Sequence, residues 1–185
     1  DKPSDYFNTK LYTGNGSTQS ISGIGFQPDF VWTKDRDSGA EWHTLYDSVR
    51  GVYKRLYTNV TNAEESTTQS LTSFDSDGFS VGAYSGSNAN GDSIVSWNWL
   101  ASNTTASNTD GSITSTVSAN TTSGFSIVKW VATGSNPTVG HGLSSAPSMI
   151  ILKTTSVTKN WVVGHNSLGW GKNLWLNGTD AVNTS

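Results

Sequence analysis

Residues 125–185, FSIVKWVATGSNPTVGHGLSSAPSMIILKTTSVTKNWVVGHNSLGWGKNLWLNGTDAVNTS, decide how the chain is read, because they echo its beginning. Shifted by 119 positions, Tyr6 falls on Phe125, Lys10 on Lys129, Pro28 on Pro147, Lys34 on Lys153, Trp42 on Trp161 and Ser48 on Ser167. Apolar positions follow, with Phe30 on Met149, Trp32 on Ile151 and Leu56 on Trp175. The lead into the proline is one residue longer in the second stretch, 139–147 against 21–28, so local gaps are needed. Self-similarity at a fixed spacing is the signature of a duplicated supersecondary unit. The echo stops opposite residue 66 and contains no counterpart of residues 71–100.

Working outward, the first copy reads as strands joined by tight turns. Residues 6–13 form a candidate strand closed by Gly14-Asn15-Gly16, and residues 17–22 a second. Residues 29–34 (DFVWTK) are rich in β-formers, and alternation puts Phe30 and Trp32 on one face and Val31 and Thr33 on the other. Strands are expected over 41–47, 52–57, 71–74, 79–84 and 93–100, with loops at 62–65 and 85–92. In the strand 93–100, Val95, Trp97 and Trp99 share a face, and core packing is the expected role of Trp32, Trp97 and Trp99. Ser, Thr, Asn and Gly make up nearly half of the 185 residues, a composition that competes with helix through local side-chain hydrogen bonds and backbone entropy.

The expected fold is therefore all-β: an antiparallel β-sandwich module, jelly-roll or lectin-like, over residues 1–100, followed by an incomplete second copy over 125–185. Residues 101–124 read as a Ser/Thr/Asn-rich linker, in which 112–118 could form an edge strand with Ile113 and Val117 on one face. An incomplete sandwich exposes edges and half a core. The missing strands are expected either from a continuation beyond Ser185 or from a neighbouring chain by β-augmentation.

Composition narrows the function classes. A net charge of -3 and dispersed Lys and Arg offer no footprint for nucleic acid. The longest apolar run, 149–152, is far short of a membrane span, so no membrane insertion is expected. With no cysteine, disulfides and thiolate metal sites are excluded. Residues 1–5 lack the basic and apolar regions of an export signal.

Candidate chemistry is sparse. His43, Asp47 and Ser48 are close in sequence, but no G-x-S-x-G turn presents a nucleophile, and a hydrogen-bonded structural histidine is the expectation. Asp75-Ser76-Asp77-Gly78 resembles part of a calcium loop without its downstream Glu, and reads as a β-turn. His141 and His165 meet no zinc spacing. No catalytic residue, cofactor or metal is expected. An aromatic face beside an amide suits a sugar ring and its hydroxyls. On that ground Trp170 and Trp175, with Asn173, in and beside a glycine-rich run, are the candidate carbohydrate-binding residues.

The segments KPSDYFNTKLYTGNGSTQSISGIGFQPDFVW (2–32), LYDSVRG (45–51), SLTSFDSDGFSVG (70–82), VSWNWLA (95–101), NTDGSITSTVSANTTSGFSIV (108–128) and VGHGLSSAPSMIILK (139–153) together resemble a repeated module of marine bacteriophage virion proteins, including those of cyanophages. The resemblance covers almost the whole chain and supplies no catalytic residues. It implies a structural, tail-fibre-like or lectin-like protein on the virion surface, extracellular, in contact with other virion proteins and assembled as a homo-oligomer, a trimer being the usual fibre symmetry. A host-surface glycan is the implied ligand of a fibre or spike. A capsid decoration protein, stabilising a shell through protein contacts, is the alternative. The second module of full-length relatives runs on to its own closing strand, where this sequence stops.

Overall fold

The computed structural model describes residues 2–134 and 136–184. The first unit comprises nine strands: β1 (Phe7–Thr13), β2 (Gln19–Ser22), β3 (Phe30–Asp35), β4 (Thr44–Asp47), β5 (Lys54–Tyr57), β6 (Glu65–Ser66), β7 (Leu71–Asp75), β8 (Gly78–Val81) and β9 (Ser93–Trp99). Six form a main sheet in the order β1-β9-β3-β4-β5-β6, and the other three a small sheet in the order β2-β8-β7. Each named pair is antiparallel. The last strand, β9, is inserted between β1 and β3, so the main sheet is continuous only once the end of the unit has folded back into its middle.

The architecture is the expected all-β, sandwich-like one. Val31 and Tyr46, opposite one another on β3 and β4, face the small sheet, where Ile21, Leu71, Phe79 and Val81 complete a core with Ile24 and Phe26. Val31, Leu71, Phe79 and Val81 are fully buried. The alternation is as read from the sequence, but the aromatic face is not the core face. Small and polar side chains, Thr33, Ser96 and Asn98, turn inward with Val31, whereas Phe30, Trp32, Trp97 and Trp99 line the opposite side and are only half buried. A thin inner layer is required because the gap between sheets is also crossed by Tyr12 and Tyr46, whose hydroxyls reach Ser87.

Ser87 belongs to a short helix, α1 (Ser85–Asn88), in the segment 85–92 that was expected to be a loop. Gly86, Ser87 and Asn88 are buried. The Asn88 amide nitrogen donates to Asn15 and to the carbonyls of Ser17 and Gly82, and its oxygen accepts from the Asn15 N–H. One amide thus ties the connection between β1 and β2 to the end of β8, which supplies the backbone partners that a buried loop needs.

At the opposite end, the turn between β7 and β8 is locked by Asp77, whose carboxylate accepts the N–H groups of Gly23 (2.9 Å) and Gly25 (2.7 Å). The Gly25 and Gly23 bonds hold this carboxyl below its ordinary range. A depressed folded-state value stabilises the fold above the unfolded pKa, near about 3.9, and that contribution disappears as pH falls through the folded value. Acid titration of the wild type should therefore show a loss of stability below about pH 4 that Asp77→Asn lacks in part. Equal acid slopes for the two proteins would exclude this role.

The second unit begins with a three-stranded sheet of β10 (Ala106–Asn108), β11 (Ser115–Asn120) and β12 (Phe125–Trp130). Residues 101–124 are therefore not a linker. β11 is the central strand of this sheet, with Ser115, Val117 and Ser118 buried, rather than an edge. Ile113 lies outside it, bridged in parallel to Val139. A four-stranded sheet follows, β13 (Met149–Leu152), β14 (Val162–His165), β15 (Lys172–Trp175) and β16 (Asn183–Thr184), in sequential order.

Hydrogen bonds refine the correspondence between the units. The Thr58 N–H donates to the His43 carbonyl as Leu176 does to Trp161, and the His43 N–H donates to the Asn59 side chain as Trp161 does to Asn177. These equivalents lie 118 positions apart, not 119, because the turn before β14 is one residue shorter than the turn before β4. The residue that Trp161 replaces is therefore His43 rather than Trp42, and Leu56 corresponds to Leu174 rather than Trp175. β12, the sequence counterpart of β1, pairs with β11 and not with any counterpart of β9.

Candidate functional site

The residues singled out for nucleophilic chemistry do not assemble. His43 packs edge-on to Trp32, and burial together with the Lys34 charge holds its pKa below the ordinary imidazole range. Asp47 is engaged by Arg50, and the Ser48 hydroxyl donates to Asp29 (2.6 Å). The two carboxylates of the DSDG turn also diverge: Asp75 accepts from the hydroxyls of Ser73 and Ser80, while Asp77 turns to Gly23 and Gly25. His141 and His165 each accept a backbone N–H two residues on, from Leu143 and Ser167. Among the described residues no group of three or more His, Asp or Glu side chains could hold a metal ion, and no helix is long and apolar enough to cross a membrane.

The carbohydrate candidates converge in part. Trp170 follows a short 3-10 turn (Asn166–Leu168), is 55% exposed, and lays its six-membered ring over Gly164 on β14, within 3.3 Å of where a Cβ would stand. The absence of a side chain at Gly164 is what lets the indole approach the strand. Trp170, Ile150, Leu152, Val162, Lys172 and Asn173 line a groove of about 280 Å³ on this side of the sheet. Trp175, half-buried opposite Val162 on β15, shares the face but does not line the groove. Asn173 pairs in register with Asn183, where the first unit has Arg55 bonded to Glu65; the Nδ2 groups of both Asn173 and Asn183 are buried without a hydrogen-bond partner.

Strand register shows what this groove corresponds to. Ile150 and Leu152 occupy the positions of Val31 and Thr33, Gly164 that of Tyr46, and Trp170 that of Val52, which packs on the first core. In the first unit this face is sealed by the small sheet. In the second, Ile150 and Leu152 are 36% and 39% exposed and Trp170 alone leans across.

A second constellation is hidden in the sequence by the 119-position spacing, which sets Trp161 opposite the exposed Trp42. Trp161 is only 4% exposed and inserts beside Leu45 and Leu56 of the main sheet, with Phe30 and Leu176 at its margin. Its indole Nε1 donates to the Tyr57 carbonyl (2.8 Å). Around it, Glu64 N–H donates to Thr155 (2.7 Å), and Lys159 N–H and the Lys153 ammonium both donate to the Thr61 carbonyl. Phe125 adds a second anchor, stacked on Trp99 and edge-on to Phe30. The half-buried aromatic face of the first unit is thus in part a docking surface for the second. The signal that could have found it is the replacement of a polar His43 by Trp161 at an otherwise matched position.

No curated protein and no solved structure matches the chain. A family model described as a domain of unknown function (DUF7483) matches residues 2–185, from the first strand through the last, and the chain belongs to this family.

Proposed function

We propose that the chain is a non-catalytic structural module of a bacteriophage virion, part of a tail fibre or spike exposed on the particle surface. The observation that carries this reading is the joint between the units: a buried Trp161, a stacked Phe125 and backbone bonds from residues 61 and 64 fix one repeat on the sheet of the other. Repeats joined without a free hinge suit a protein that transmits position rather than one that turns over a substrate. The resemblance of its segments to phage virion modules, and a polar surface of low charge, support the same reading. Its partners are other virion proteins and further copies of itself.

The ligand of such a fibre is a host-surface glycan, and the exposed Trp170 offers an aromatic face on a groove that Asn173 helps to line. Trp170→Ala should reduce binding on a glycan array at least tenfold, in keeping with about 1.4 kcal/mol or more for a stacked aromatic. Unchanged binding would remove the groove from the attachment site. The decoration reading draws on the exposed apolar strand Met149–Leu152, which suits protein contacts. Quantifying the protein per particle separates the two: a low copy number fits a fibre, and high hundreds fit a shell component.

A further inference from the structure

The last residue of β3 and the residue that precedes β9 meet at one end of the main sheet. Asp35 pairs in register with Ile94, the Arg36 N–H donates to the Ser93 carbonyl (2.8 Å), and the Asp37 carboxylate accepts the Ser93 N–H (2.6 Å). The Asp92 carboxyl stands here within hydrogen-bond reach of the Asp35 side chain. Asp35 is fully buried. Its Oδ1 accepts the N–H groups of Asp37 and Ser38 (both 2.9 Å), whereas its Oδ2 is buried with no donor. Two ionised carboxylates offer each other only acceptors, and a buried acceptor without a donor is costly. We propose that Asp35 and Asp92 share one proton, carried on Asp92 and donated to Asp35 Oδ2, and that this acid-closed clasp fastens the entry of β9 to the end of β3.

The surroundings supply no other positive charge. Among the described residues neither carboxylate forms an ion pair. On β3 itself, the Lys34 ammonium is committed to the carbonyls of Asp35 and Ser38. In the turn that follows, Arg36 acts on Asp37, while Asp37 and Glu41 add negative charge around Asp92. The Tyr12 phenol of β1, kept neutral by burial and then by Tyr46 of β4 and Asp35, already donates to the Ser87 carbonyl (2.6 Å). The helix α1 carries no titratable side chain. A calcium ion would ask for about six to eight oxygens, and among the described residues no group of three or more acidic or histidine side chains gathers to hold one. The bond to Asp35, then burial, then the charges of Asp35, Asp37 and Glu41 raise the Asp92 pKa, in keeping with a retained proton. A carboxyl raised in the folded state gives stability that is fully present below the unfolded value, about 3.9, and is lost as pH rises through the folded one. The clasp therefore acts above the window of Asp77, and with the opposite sign.

The clasp is independent of the virion reading, which its failure would leave standing. Asp92→Asn puts an amide N–H where the shared proton sits, a donor at every pH. Its melting temperature should exceed that of the wild type by about 2–4 °C at about pH 7, and the difference should close as the pH falls to about 4. NMR titration of the wild type should show the Asp92 carboxyl carbon titrating above the ordinary aspartate range. In Asp35→Asn, whose amide donates to an ionised Asp92, that midpoint should move down. A stability difference that does not vary with pH, or an Asp92 midpoint within the ordinary range, would overturn the proposal. So would a rise in wild-type melting temperature on adding calcium chloride that Asp92→Asn does not share, since the pair would then hold a cation and not a proton.

Discussion

Trp161→Ala is expected to destabilise the protein by about 3–5 kcal/mol, the range for removing a buried tryptophan. The side chain packs against Leu45 and Leu56, with Phe30 and Leu176 at the margin, so its removal leaves a large cavity in this cluster. The substitution also leaves the Tyr57 carbonyl without its indole donor. The effect should be directional. The core of Ile21, Leu71, Phe79 and Val81 lies on the other side of the main sheet, so its amides should keep their protection, whereas β13 to β16 should exchange faster. Trp161→Phe, which keeps most of the volume but donates nothing, should cost less than Trp161→Ala, about 1–3 kcal/mol including the unpaired carbonyl. Chemical denaturation of the three proteins, with exchange mapped by strand, measures both. A uniform loss of protection across both units would mean that they fold as one block and that Trp161 is not a joint.

The fold class was legible because period-two alternation and Gly/Asn turns are local properties. The strand at residues 93–100 and the turn at 75–78 stand within a residue or two of where the pattern put them. Alternation defines two faces but does not say which is inner. Trp32, Trp97 and Trp99 were expected in the core because large aromatics usually bury. Here the inner layer is filled by Tyr12 and Tyr46 of the main sheet with Phe79 from the small sheet, and the aromatics lie on the outer face, where Trp99 meets Phe125 of the second unit. Nothing local in residues 29–35 could report that a segment about 130 residues away would supply Trp161 to the same sheet.

The candidate site was legible only as composition. The glycine-rich run correctly marked Trp170 as exposed, but its reading as a sugar platform depends on what else lies on that face. Register places Trp170 where Val52 packs on the first core, information carried by the hydrogen-bond equivalences and blurred by the one-residue change in period. The repeat was visible from sequence; the divergent pairing of β12 was not, since the partner that distinguishes it, β11, lies in a stretch whose Ser, Thr and Asn content reads as linker.

Asp29→Ala is expected to cost about 2–4 kcal/mol, and Asp29→Asn less than half as much. The Asp29 carboxylate is fully buried at the start of β3 and collects donors from three directions. Oδ1 accepts the Ser48 hydroxyl (2.6 Å), and Oδ2 accepts the N–H groups of Ala101 and Asn103 (both 2.9 Å). It therefore ties the entry of β3 to the turn after β4 and to the exit of β9, the point at which the chain leaves the first unit. Alanine strands the buried Ala101 N–H, and the loss cannot be recovered by water. Asparagine can keep the two backbone donors on its oxygen and offer its Nδ2 to Ser48, because a hydroxyl accepts as well as donates. Ser48→Ala should therefore cost more in the Asp29→Asn background than in the wild type if the amide depends on that acceptor, and a double-mutant cycle by denaturation reads the difference. The second unit already uses the neutral arrangement. Ser148 and Asn166 occupy the positions of Asp29 and Ser48, the backbone bond between them is kept at 2.9 Å, and the Asn166 amide donates to the Ser148 hydroxyl (3.3 Å). A carboxylate is worth burying only where unpaired N–H groups converge on it. In the first unit those groups arrive with the chain leaving β9, so the same pairing without the charge marks a unit that has no such strand among its described residues. Equal costs for Asp29→Ala and Asp29→Asn would break this link between the buried charge and the closing strand.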